Sequence, residues 1–135
     1  MFRDRKRPSG GFTLIEVLLV LVILVVLASL AVVAVGPVMK KMKVNQAKAQ
    51  IGLFKTSINA YNLDVGNYPP TLDALIHQPG DVPQGKWLGP YLEVSQIPAD
   101  PWSHQYQYAP QSQHQLEFDI WTVDPNGQEI GNWTP

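Results

Sequence analysis

One carboxylate in this chain sits where a charge is expensive. Glu16 is followed by Val17 to Val35, 19 residues without a charge, of which Ser29 is the only polar one. An isolated acid at the edge of such a run marks a functional site unless water reaches it at an interface. Other chemistry-bearing groups are scattered. His77, His104 and His114 lack metal spacing, and cysteine is absent. Glu117 and Asp119 alternate along an expected strand, where acid–base work is conceivable but a solvated sheet face is the simpler reading. No phosphate-binding glycine loop, nucleophile elbow or dinucleotide fingerprint occurs, so no enzyme is expected.

The uncharged run spans about 28 Å at about 1.5 Å per residue, close to a bilayer's hydrocarbon thickness. It is too long for a signal peptide core and has no small-residue cleavage site after it. Phe12 to about Asp64 reads as one long helix, with a kink or local melting expected at Gly36-Pro37. Beyond that point Val44, Ala47, Ile51, Phe54, Ile58, Tyr61 and Val65 form one apolar stripe. The stripe is expected to pack on the protein's own sheet, with an oligomerisation seam as the alternative.

Gly66 is a natural C-cap, and Thr71 should cap a short helix over 71–76. Residues 77–101 carry five prolines and three glycines and read as a long irregular connection, functional or folded as an Ω-loop. Tyr106 to Tyr108 and Leu116 to Val123 read as a strand pair forming a hairpin. Leu116, Phe118 and Ile120 would share one face, with Glu117, Asp119 and Trp121 on the other. The tail from Asp124 to Trp133 reads as polar turn. Trp87, Trp102, Trp121 and Trp133 are expected to anchor core and loops.

Charge is segregated. A leader over residues 1–11 is net +3, and a collar of Lys40, Lys41, Lys43, Lys48 and Lys55 is net +5. From Ser57 onward nine acids face Lys86 alone, net −8, which argues against nucleic acid as a partner. The collar suits anionic lipid head groups or the acidic heads of neighbouring subunits. Basic residues flank both ends of the apolar run, so counting positive charge does not orient it.

Gly11-Phe12-Thr13-Leu14-Ile15-Glu16, opening that run, resembles the processing signal of type IV pilins and type II secretion pseudopilins. The resemblance narrows to the major pseudopilins through Tyr61 to Pro69, Gly89-Pro90-Tyr91-Leu92, Ile97 to Trp102, Tyr106-Gln107-Tyr108, Phe118-Asp119-Ile120 and Asn126 to Trp133. It implies a pilin-like α+β fold: a long N-terminal helix, transmembrane in its first half and amphipathic in its second, packed on a small antiparallel sheet. Residues 1–11 would be a cleaved basic leader, 12–39 the transmembrane and assembly helix, and 40–135 a periplasmic globular domain. A prepilin peptidase would cut between Gly11 and Phe12 on the cytoplasmic side of the inner membrane, and the Phe12 amine would be methylated.

Glu16 would then pair with the Phe12 amine of a neighbour. Cleavage creates the one cation available at that depth, since an α-amino group has a pKa of about 7.7–8.0. Within one subunit the Phe12 amine and Glu16 could also meet, being i and i+4 on the helix. The implied function is a structural subunit of a pseudopilus that drives protein export across the outer membrane. Implied partners are further copies, minor pseudopilins, an inner-membrane assembly platform and lipid. The alternative is a type IV pilin serving as an adhesion module. Absence of the pilin disulfide leans toward the pseudopilin.

The family also implies calcium in the C-terminal loop. Asp124 stands at the place of its first acid, with Glu129 as second ligand. Relatives carry more acids before the closing Gly131-Asn132-Trp133, where this chain has only Glu129 and Ile130. A plain solvated turn is the other reading.

Overall fold

Thr13 begins the long helix. Its hydroxyl oxygen accepts from the Glu16 N–H at 3.3 Å, and Glu16 Oε2 accepts from the Thr13 N–H at 2.8 Å. This reciprocal capping box satisfies two donors that a helix start otherwise leaves unpaired. The computed structural model describes residues 10–134, the side chains of 31–35 excepted. The leader expected over residues 1–11 thus lies almost wholly outside the described residues.

The helix, α1, runs Leu14–Val65. It starts two residues later than expected, because Thr13 takes the cap and leaves Phe12 outside. The anticipated i, i+4 placement of Phe12 and Glu16 on one helix is therefore not met. Pro37 lies inside α1 and does not interrupt it. A proline there removes one donor and costs about 3 kcal/mol, and the many surrounding bonds of a 52-residue helix persist. Ser29 answers its own polarity by donating to the Val26 carbonyl at 2.7 Å.

By its contacts the chain divides into two units, residues 1–39 and 40–135. In the first, the described side chains from Leu14 to Leu30 are exposed. Among the described residues no helix is long and apolar enough to cross a membrane. The last five residues of the uncharged run, 31–35, fall outside the described side chains.

The second unit holds the core. Ala47, Ile51, Phe54, Ile58 and Tyr61 are buried, and Val44 and Val65 pack at the stripe's ends. They meet Tyr106, Phe118, Ile120 and Ile130 in one cluster. Phe54 and Tyr106 touch edge to face with centroids 5.2 Å apart. The stripe is thus the core face of the head, as its spacing predicts.

Three antiparallel strands make the sheet: β1 (Gln107–Ala109), β2 (Asp119–Val123) and β3 (Glu129–Gly131), in that order. The hairpin of β1 and β2 is present, pairing Tyr108 with Ile120. β3 is a strand where only turn was expected, pairing Thr122 with Ile130. β2 begins three residues later than expected. Leu116 is exposed rather than sharing the face of Phe118 and Ile120, because Gln115 at φ +61° turns the chain away before the strand starts. The short helix is a 3-10 turn, Leu72–Leu75, and Thr71 makes no side-chain cap bond.

No regular element occupies residues 76–106. The connection is instead pinned. Ser57 donates to the Tyr91 carbonyl at 2.8 Å, the Tyr91 N–H to Leu75 at 2.7 Å, and the Tyr91 hydroxyl to Asp64 at 2.9 Å. Trp87 donates to the Ala74 carbonyl at 3.0 Å. Its ring covers Gly89 so closely that a Cβ there would lie 2.5 Å from it, which is why that position has no side chain.

Candidate assembly site

The N-terminal features combine on one short segment. Gly10 to Thr13 is non-helical and exposed, and Phe12 is 90 % exposed. One helical turn later stands Glu16, whose Oε2 also accepts from the Thr13 hydroxyl at 3.0 Å. Gly11, Phe12 and Glu16 are thus adjacent at the start of an apolar surface running through Leu30. Thr13 was missed as a member of this site. The T-x-x-E spacing of Thr13 and Glu16 is the signal that finds it.

Asp124 and Glu129 are separated by their roles. Asp124 is buried at the end of β2. Its Oδ1 accepts from the N–H groups of Asn126 at 2.8 Å and Gln128 at 2.9 Å, and its Oδ2 from Asn126 Nδ2 at 2.9 Å. The ammonium of Lys40 lies 3.7 Å from Oδ2. Bonds from Asn126 and Gln128 hold this carboxyl below its ordinary range. Glu129 is exposed on β3, opposite Val123. Among the described residues no group of three His, Cys, Asp or Glu could hold a metal ion. Calcium wants six to eight oxygens with free lone pairs. Here the principal acid points both oxygens at N–H donors and a cation, so the residues present do not fit the ion.

Two further carboxylates are buried, and sequence reasoning gave neither a structural role. Asp119 does not lie on a solvated face: it accepts from Ser112 Oγ at 2.5 Å and the Gln113 N–H at 2.8 Å, with His114 Nδ1 at 2.9 Å. The loop before β2 folds back over it, which alternation along a strand cannot foresee. The His114 ring stacks on Trp133 with centroids 3.7 Å apart. Asp100 accepts from the N–H groups of Trp102 at 2.9 Å and His104 at 2.8 Å, and from the buried Thr122 hydroxyl.

Burial pushes both carboxyls up. For Asp100 the bonds from Thr122, His104 and Trp102 outweigh it, and for Asp119 those from Ser112, Gln113 and His114 do. Both end below the ordinary value of 3.8. Folded pKa values below unfolded ones mean that the unfolded chain binds more protons in acid. This stabilisation is complete above the unfolded pKa of about 3.9 and is lost as pH falls through the folded values. The expected unfolding midpoint is therefore level from pH 7 to about 5 and drops steeply below about pH 4. Circular dichroism melts across that range check it; a midpoint unchanged at pH 3 would contradict it.

Comparison with known proteins agrees with this architecture. Residues 34–134 match the family described as type II secretion system (T2SS), protein G, and residues 6–32 match the prokaryotic N-terminal methylation motif. The chain is 36% identical to the type II secretion system core protein G of Pseudomonas aeruginosa, over 96% of this chain and 98% of that one. It is 34% identical to the corresponding protein of Aeromonas hydrophila, over 96% and 95%. The crystal structure of the major pseudopilin from the type 2 secretion system of enterohaemorrhagic Escherichia coli superposes with a TM-score of 0.58. Identity there is 27%, over 72% of this chain and 91% of that one. None of these matches supports the adhesion-module alternative. A helix led by an N-methylation motif, a three-stranded sheet beneath its second half and these relatives agree: the chain belongs to the type II secretion system protein G family, the major pseudopilins, structural subunits of the pseudopilus rather than enzymes.

Proposed function

We propose that this chain is inserted in the inner membrane through residues 12–39, with residues 40–135 in the periplasm. A prepilin peptidase cuts it between Gly11 and Phe12, and the mature subunit polymerises through its N-terminal helix. The filament, with minor pseudopilins and the inner-membrane platform, drives protein export across the outer membrane. The observation that carries this reading is the single carboxylate of Glu16 at the head of an otherwise apolar, exposed stem. Such a surface needs lipid or other stems around it. Once water is excluded, a carboxylate there needs a cation.

The non-helical, exposed backbone from Gly10 to Thr13 suits a peptidase, which must thread an extended segment. Cleavage would leave the new amine one residue from Thr13 and its bonded Glu16, positioned for a neighbour's carboxylate. Lys41 and Lys43, at the start of the second unit, would sit against anionic head groups. Intact-mass measurement of membrane-extracted protein tests the processing step. The expected mass is that of residues 12–135 plus one methyl group; a chain still beginning at Met1 rejects it.

A further inference from the structure

The turn joining β2 to β3 is built around one buried carboxylate, Asp124. Asp124 has three N–H donors from its own turn, which place the loop but carry no formal charge. Its side chain is wholly buried, so an uncompensated anion there would be costly. The compensating charge comes from far along the chain. Lys40, at the beginning of the second unit, brings its ammonium to 3.7 Å from Asp124 Oδ2 while remaining half exposed. The rest of the turn is closed by backbone bonds. The Asp124 N–H donates to Gln128 at 2.9 Å and the Gly127 N–H to Asp124 at 2.9 Å, with Gly127 at φ +81°. Glu129, the other acid of the turn sequence, is committed to a strand, and three residues later Asn132 donates to the Phe118 carbonyl at 2.8 Å. A turn this short, ended by a strand, has no slack with which to wrap an ion.

We propose that the Lys40 ammonium is the built-in counter-cation of Asp124, replacing a divalent ion, and that this head folds and holds its C-terminal turn without calcium. A lysine can neutralise one carboxylate but cannot gather several. The substitution therefore fits a loop with one buried acid and would fail in a loop with three.

The test uses the full chain in detergent micelles, with tryptophan fluorescence following thermal unfolding and calcium chloride alone as the probe. The midpoint should be the same, within about 1 °C, in chelator and in millimolar calcium, because an ion that does not bind the folded state cannot raise it. Lys40→Met should lower the midpoint by about 4–8 °C. Lys40→Arg, which keeps the charge, should stay close to the wild type. In the double variant Lys40→Met/Asp124→Asn the two losses should be less than additive, as for partners in one interaction. A wild-type midpoint that rises with calcium overturns the proposal. So does a Lys40→Met variant as stable as the wild type, or additive losses in the double variant. Should Lys40→Met fail to fold, an equal failure of Lys40→Arg would overturn it too, since charge would then not be what the position supplies.

Discussion

Glu16→Val subunits are expected to enter the membrane at least as well as the wild type and to build almost no filaments. The two halves of this result have separate physical origins. Insertion improves because an ionised side chain in a spanning helix costs up to about 3 kcal/mol on insertion scales, and valine removes that cost. Assembly fails because the neighbour's Phe12 amine would enter an apolar contact without a partner. An unpaired buried charge costs about 3–5 kcal/mol per subunit. In a polymer this cost recurs at every step, so elongation is lost rather than slowed. Valine also breaks the capping box, since the Thr13 N–H loses its acceptor. A cap is worth about 1 kcal/mol and would merely fray the first turn. Glu16→Gln separates the two effects. Glutamine keeps an oxygen for the Thr13 N–H but has no charge, so it should restore the cap and not the filament. Sheared filaments quantified by immunoblot give the readout. Normal filament yield from Glu16→Val would refute the electrostatic reading, and yield restored by Glu16→Gln would reassign Glu16 to capping.

Periodicity made the helical part of this molecule legible. The 3–4 spacing from Val44 to Val65 depends on residues near in sequence, and five of its seven members are buried. The sheet was harder because its geometry is set by partners distant in sequence. β3 has a single buried apolar residue flanked by Glu129 and Gly131, too little for alternation to show. Its better signal is the turn, since Asn126-Gly127 between two segments is a strong hairpin cue. Asp119 was misread because its surroundings come from Ser112 to His114, a loop whose path follows from the positive φ of Gln115 rather than from any pattern. Of the candidate site, Glu16 stood out because charge in an apolar run is a local property. Its bond to Thr13 was equally local and was obscured by starting the helix at Phe12. Asp124 reads in the sequence as the first acid of a calcium loop, and in the fold its two oxygens accept from Asn126 and Gln128 of its own turn. Its partner Lys40 could not be read from the chain, because 84 positions separate them and only the folded head brings them together.

The largest loss of stability is expected at Asp100. Its carboxylate ends the irregular connection and ties it to the middle of the sheet: Oδ1 takes the N–H groups of Trp102 and His104, and Oδ2 the hydroxyl of Thr122 on β2. The backbone closes the same turn, with the Asp100 N–H donating to His104 at 2.8 Å and the Ser103 N–H to Asp100 at 3.0 Å. Ser103 is held at φ +71°, a conformation a non-glycine residue keeps only where its surroundings enforce it. Asp100→Ala would orphan three donors at once, in a place where Asp100 and Thr122 are both buried. At about 1–3 kcal/mol for each unsatisfied buried group, partly relieved by water, the expected cost is about 3 kcal/mol. A head of this size has a total stability of about 5–15 kcal/mol, so the variant should melt about 12–24 °C lower. Asp100→Asn should lose far less. Its oxygen can still accept from Trp102 and His104, while its amide donates to Thr122 Oγ1, a hydroxyl able to reverse its role. The same variant should also weaken the fall in stability below about pH 4, because one of the head's three low-pKa carboxyls, Asp100, Asp119 and Asp124, has gone. Asp73→Ala, an exposed acid whose side chain reaches His77 at 3.2 Å, is the matched control and should change stability by no more than about 0.5 kcal/mol. If Asp100→Ala melts within about 2 °C of the wild type, the connection is held by its apolar anchors at Trp87 and Tyr91, and the carboxylate is incidental.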